Sequence, residues 1–363
     1  MKNKNILLTS ALAGSLMFLG SNAIAQTKID GTLVVGYKSV SQDLAANKVN
    51  GKSGFGREAQ LNVSNSGSLN VGGLKYAAGF ALEFDGVSEK NTSGNISIGN
   101  ENTYVDLISG NTTLTFGVDH IQNSDRSTAH FVGLNFEDFD NGDSYFQSSV
   151  GANPKEAIGA GITQKTPFGS FSYFYVPSNG VNGNDDDLDG ITDASQGTTI
   201  NTDRASAYEI GFVGDLGVKG LNVHAFKNKE KSNIGSINAT RGLEGKNYGV
   251  SYNMGQFTVG VDKKKSTGIY SGTAAENNAE RDQMTYGLAY AITPTLTLGA
   301  SYGKNEIKGH TTAGLLDEKA KTVALGYNLG PVVAEVQYGT FDNLKGATGA
   351  DSEVVYARFI TKF

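Results

Sequence analysis

A two-residue alternation runs through most of the chain and constrains its fold more than any other feature. About sixteen segments alternate large apolar residues with small or polar ones, as in 75–83 and 285–292. No helical period of useful length occurs between residues 26 and 363. The sequence therefore predicts an all-β fold of about sixteen antiparallel strands.

The second face of these strands indicates where the protein lies. In segment 75–83 one face carries Tyr76, Phe80 and Leu82, whereas the other is mostly Ala and Gly. A soluble sandwich would place charges on that second face, but a membrane barrel has lipid outside and a polar lumen that need not be filled. Tyrosines recur near the strand ends, where an aromatic girdle would lie; they are Tyr37, Tyr208, Tyr252, Tyr290, Tyr302, Tyr327 and Tyr338. We therefore expect a transmembrane antiparallel β-barrel.

The connections between segments alternate in length. Short turns, such as 293–294 and 330–331, alternate along the chain with long polar loops, such as 177–203 and 265–280. Short turns on one side and long loops on the other are typical of bacterial outer-membrane barrels. Lipid cannot form hydrogen bonds with the backbone groups of a strand edge, and only a closed barrel leaves no such edge unpaired.

The first residues have the pattern of an export signal. Lys2 and Lys4 precede an apolar stretch, and Ala23-Ile24-Ala25 matches a cleavage site, so we expect a signal peptide at 1–25 and a single barrel domain at 26–363. The chain has no cysteine, which excludes disulfides and thiolate chemistry. Its formal net charge of −6 argues against nucleic acid as a partner.

A loop of about thirty-five residues, 119–153, separates two alternating segments and has no sustained period of its own. It is rich in aromatic residues, so it is not a solvated tether. Its single basic residue is Arg126, and its acidic residues are Asp119, Asp125, Glu137, Asp138, Asp140 and Asp143. We expect this loop to fold into the mouth of the barrel and to narrow it.

Four features together resemble the Gram-negative general porins. They are ENTYVDLISGNTTLTFGVDH (101–120), GGLKYAAGFALEFD (72–85), the long loop after the fifth strand, and a last alternating strand that ends at Phe363. The resemblance implies a homotrimer of sixteen-stranded barrels in the outer membrane. Such a protein would contact membrane lipid and lipopolysaccharide and pass small hydrophilic solutes by diffusion.

The chain departs from that family at the wall opposite the loop. Where the resemblance implies arginines, this chain has Glu58 and Glu101. Alternation assigns to the pore wall Glu58, Lys75, Glu83, Glu101, Glu335 and Arg358. It also turns six other charged residues inward: Asp30, Glu209, Asp262, Lys28, Lys155 and Lys165. An acidic lining favours cations, so we expect a cation-preferring channel. The alternative is that these charges lie in wide vestibules, where salt screens them.

One further loop has a metal-binding pattern. Residues 185–193 read D-x-D-x-D-G-x-x-D, and alternate carboxylates of this kind converge on a hard cation such as Ca²⁺. The candidate ligands are Asp185, Asp187, Asp189 and Asp193. The alternative is an acidic, solvated surface loop.

Nothing in the sequence indicates an enzyme. The four histidines lack zinc-site spacing, and no G-x-S-x-G motif occurs. Two other functions stay open beside the diffusion channel. One is a channel specific for a sugar, an amino acid or an anion, and an inward aromatic track through Phe174 and Phe226 would favour the sugar. The other is a non-conducting surface adhesin or receptor barrel.

Overall fold

The computed structural model describes residues 26–43, 52–86, 97–118, 126, 129, 158–177, 206–230, 244–267, 280–308, 317–343 and 351–363. Every regular element in these ranges is a β-strand. The strands are β1 (Gln26–Asp43), β2 (Lys52–Ser68), β3 (Lys75–Gly86), β4 (Ser97–Ser109), β5 (Thr112–Val118), β6 (Gly159–Thr166), β7 (Gly169–Val176), β8 (Ala207–Gly214), β9 (Leu221–Glu230), β10 (Glu244–Met254), β11 (Phe257–Thr267), β12 (Glu280–Ala291), β13 (Leu296–Lys308), β14 (Glu318–Asn328), β15 (Val332–Asp342) and β16 (Asp351–Lys362). Among the described residues, no helix is long and apolar enough to cross a membrane.

The sixteen strands form one closed antiparallel barrel in which each strand pairs with its neighbours in sequence and β1 pairs with β16. The predicted fold and strand number are thereby confirmed. The seam includes the last residue, because Phe363 and Gly31 exchange backbone hydrogen bonds of 3.0 and 3.1 Å. A Cβ at Gly31 would lie 2.7 Å from the Phe363 ring, so the ring packs where that side chain would be.

The two faces of the barrel are inverted relative to a soluble protein. Large apolar residues such as Leu288, Leu298 and Val336 point outward and are exposed, whereas buried residues include Asn247 and Gln337 on the inward face. This is the arrangement of a barrel with lipid outside and a polar lumen.

Aromatic rings mark both borders of the outward apolar band, as the sequence predicts. Towards the long loops, Tyr286 and Tyr302 stack with ring centroids 6.4 Å apart. Towards the short turns, Phe257 and Tyr290 stack at 4.5 Å. These two rows correspond to the girdles that amphipathic rings form at membrane interfaces.

Several strands extend beyond the limits predicted from alternation. For example, β11 runs to Thr267 rather than to Asp262, and β14 begins at Glu318 rather than at Thr322. In these extensions both faces are polar, as in Lys263-Lys264-Lys265. The backbone ladder continues there although the apolar alternation has ended, so the pattern gives no signal for it.

Candidate pore constriction

The loop that follows β5 reaches the opposite wall of the lumen. Of its residues the structure describes Arg126 and Ala129, and both contact inward-facing side chains of β10, β11 and β13. The Ala129 N–H donates to Asp262 Oδ2 at 2.7 Å, and Ser301 Oγ donates to the Ala129 carbonyl at 3.3 Å. Asn247 Nδ2 donates to the Arg126 carbonyl at 2.7 Å. Arg126 and Ala129 therefore lie against the inner wall formed by β10, β11 and β13.

This anchor is buried and extends into the wall. Asp262 is 2% exposed, while Asn247 and Ala129 are fully buried. His224 Nε2 lies 2.9 Å from Asn247 Oδ1 and 3.8 Å from Asp262 Oδ1. Because an amide oxygen only accepts, His224 donates to Asn247 Oδ1, and this contact orients the Asn247 amide nitrogen towards the loop. His224 thus positions the loop anchor.

On another sector of the wall, three of the predicted pore residues come together. Arg358 contacts Glu335 through Nη2 at 2.9 Å and Nε at 3.1 Å. Its guanidinium also lies 5.1 Å from the centre of the Tyr356 ring. Glu58, on β2, faces inward and acts electrostatically on Arg358 across β1. Two carboxylates therefore act on the Arg358 guanidinium.

The other predicted wall residues lie on β3 and β4. Glu83 faces inward on β3, directly across from Gln60. Lys75 also faces inward, but it is the first residue of β3 and lies at the short-turn rim. Glu101 falls between Asn100 and Asn102, where the pairing of β3 with β4 shifts by one residue. Such a bulge interrupts alternation, and the side chain of Glu101 lies outside what the structure describes, so its place on the wall stays a prediction.

The structure also places six charged residues on the inward face that were not predicted to lie there. The additional bases are Lys38, Lys264, Arg281 and Lys362, and the additional acids are Asp106 and Glu318. Most lie in the strand extensions, where the sequence has no apolar alternation. Lys362 and Asp106 are different, because each lies within a predicted strand. Asp106 accepts a 2.6 Å hydrogen bond from Thr115.

The described wall carries no net charge. Eight bases face the lumen: Lys28, Lys38, Lys75, Lys165, Lys264, Arg281, Arg358 and Lys362. Eight acids also face it: Asp30, Glu58, Glu83, Asp106, Glu209, Asp262, Glu318 and Glu335. The described part of the wall is therefore balanced, and four of its bases were not among the predicted wall residues. The six acidic residues of the 119–153 loop and the four aspartates of the 185–193 motif lie outside the described residues.

Phe174 and Phe226, the described members of the aromatic track that would favour a sugar channel, are not available to a solute in the lumen. Phe174 and Phe226 do face inward, but each is 2% exposed. A Cβ at Gly211 would lie 1.9 Å from the Phe226 ring, and one at Gly159 would lie 2.6 Å from the Phe174 ring. Both rings thus fill the space that these glycines leave on the wall.

Comparisons with known proteins agree with this architecture. Residues 9–346 match the family model described as Gram-negative porin. A search of curated proteins finds no significant sequence match. Similar solved structures include an anion-selective porin from Comamonas acidovorans, with 13% identity and a TM-score of 0.65 over 93% of this chain and 100% of that chain. The outer membrane channel DcaP of Acinetobacter baumannii has 13% identity and a TM-score of 0.65 over 93% and 97% of the two chains. The trimer form of OmpT from Vibrio cholerae has 14% identity and a TM-score of 0.56 over 93% and 99%. At these identities the structural likeness establishes the fold.

Proposed function

The chain belongs to the family of Gram-negative porins and is a channel of the outer membrane, and we propose that it passes small hydrophilic solutes by diffusion with a preference for cations. Members of this family are channels rather than enzymes, in agreement with the absence of any catalytic motif from the sequence. The fold itself leaves the ion preference open, since one solved porin of similar architecture is described as anion-selective.

The charge of the constriction loop supports the cation preference. The described wall is balanced at eight bases against eight acids, so it favours neither sign. The loop 119–153 has six acids and one base, a formal charge of 1 − 6 = −5. Its contacts through Arg126 and Ala129 lie inside the lumen, where charges act at an effective dielectric below that of bulk water. Fixed negative charge in a narrow passage attracts cations.

Reversal potential in planar bilayers tests this proposal. Under a tenfold KCl gradient, the wild-type channel should give the sign of a cation-selective pore. The double variant Glu137→Gln/Asp140→Asn removes two loop charges and should shift the reversal potential towards anions. Asp282→Asn is the matched control, because Asp282 is an acid on the outward face of β12 and should leave the potential unchanged. An anion-selective wild type, or an equal shift in the control, contradicts the proposal.

We also propose that the protein is a homotrimer. OmpT from Vibrio cholerae, which shares this fold, is described in a trimer form. In this chain, the described outward side chains of β1–β8 include a single charge, Arg57, whereas β9–β16 carry charged rows at their long-loop ends. An outward face with so few charges is suited to packing against a neighbouring subunit.

The absence of tryptophan allows a direct test of this interface. Val105 on β4 and Leu325 on β14 both point outward and are 45% and 44% exposed in the isolated chain. Brominated lipids should quench the tryptophan of Leu325→Trp and spare that of Val105→Trp, while unboiled samples migrate as trimers. Equal quenching at the two positions would place the interface elsewhere.

A further inference from the structure

Three lysines and one glutamate form a cluster on the outward face of β9 and β10, at their long-loop ends. Glu244 accepts ion pairs from Lys246 at 3.3 Å, Lys227 at 3.5 Å and Lys229 at 4.0 Å. The cluster therefore has two positive charges in excess. The sequence between these two strands, 231–243, contains two basic residues and no acidic residue.

The register makes this excess unfavourable in the isolated protein. Lys227, Lys246 and Lys265 are cross-strand partners on three adjacent strands, which are about 5 Å apart. Like charges directly opposite each other destabilise a sheet. Lys265 has its own partner, Glu280, at 2.9 Å, but the other two share Glu244 with Lys229. A bound anion would relieve the remaining repulsion.

The cluster lies at the border of the apolar band. On β10 the outward residues below Lys246 are Tyr248, Val250, Tyr252 and Met254, and all four are exposed. The eight residue steps from Lys246 to Met254 rise about 20 Å at the usual strand rise and a tilt of about 40°, close to the ~25 Å apolar band of such barrels. The three ammonium groups therefore lie at the headgroup level of the leaflet that the long loops face.

We propose that Lys227, Lys229 and Lys246 bind the phosphomonoester headgroup of a lipid in that leaflet. A phosphomonoester carries about −1.5 to −2 charges and three acceptor oxygens, which matches the excess of two positive charges. Basic clusters at a membrane interface bind anionic headgroups in this way. The exposed Tyr248 and Val250 below the lysines offer an apolar surface to the acyl chains. This gives the lipid contact expected from the sequence a defined site on one sector of the barrel.

Lipid binding by the full chain in neutral detergent micelles tests the proposal, with fluorescent phosphatidic acid as the phosphomonoester probe. The double variant Lys227→Gln/Lys246→Gln should bind it roughly thirtyfold more weakly than the wild type, about fivefold per lysine. Glu244→Gln removes the competing carboxylate and should bind it more tightly. Wild-type binding should weaken as salt rises, since the site is exposed to solvent.

Two comparisons make the test specific. Lys321→Gln removes an outward, exposed lysine charge from β14, away from the cluster, and should bind phosphatidic acid as the wild type does. Phosphatidylglycerol, a phosphodiester, should bind more weakly than phosphatidic acid. Equal loss in Lys321→Gln, unchanged binding in the lysine double variant, or displacement by equimolar inorganic phosphate overturns the proposal. Because the readout is lipid binding, the result is separate from the conductance and selectivity proposals.

Discussion

Removal of the loop anchor should make the pore wider and noisier. Asp262 and Asn247 each form a 2.7 Å hydrogen bond with the loop, at Ala129 and Arg126. A hydrogen bond to a charged group contributes about 1.5–3 kcal/mol and a neutral one about 1 kcal/mol. The double variant Asp262→Ala/Asn247→Ala therefore loses roughly 3 kcal/mol of docking free energy, a change of about a hundredfold in the docked fraction. The full loss applies because water does not replace contacts that are this deeply buried.

Single-channel recording in planar bilayers measures the effect. We expect a higher mean conductance and more frequent transitions between conductance levels than in the wild type. Asp106→Asn is the matched control, because Asp106 is also a buried inward carboxylate but bonds to Thr115 on the neighbouring strand. It removes the same charge without releasing the loop, so its noise should equal that of the wild type. Wild-type conductance and noise in the double variant, or equal noise in the control, would refute the anchoring role.

Three further predictions concern the wall, the seam and the acidic loop. Arg358→Gln should shift the reversal potential towards cations and Glu58→Gln towards anions, since the two residues are oppositely charged members of one inward cluster. Gly31→Val should lower the yield of heat-resistant folded barrel on gels, because a Cβ there would lie 2.4 Å from the Gln60 carbonyl, whereas at Gly326 a Cβ meets nothing within 4 Å and Gly326→Val should fold normally. Millimolar calcium should give a calorimetric binding heat that disappears in Asp187→Asn/Asp189→Asn; the same heat in both proteins would mean that this loop binds no calcium through these residues.

The sequence by itself determined the barrel. Alternation has a period of two residues and depends only on local strand geometry. Each segment therefore indicates by itself which of its faces contacts lipid. The outward tyrosines, the alternation of short turns with long loops and the number of strands follow from the same pattern. The register places Glu58, Glu83 and Glu335 on the inward face, which is the face that alternation assigns to them.

Only the tertiary structure decided which charges meet and what their sum is. Asp262 and Ala129 are 133 residues apart in sequence, and Arg358 and Glu335 are 23 apart, so their contacts depend on the register of the closed barrel. A one-residue bulge beside Glu101 is set by the pairing of β3 with β4 and removes the basis for assigning its face. Lys264 and Arg281 lie on extensions of the ladder where both faces are polar, so they were missed and the wall was predicted to be acidic. Local periodicity determines which face a residue occupies, whereas electrostatic balance depends on strand length and cross-strand register, which are properties of the whole barrel.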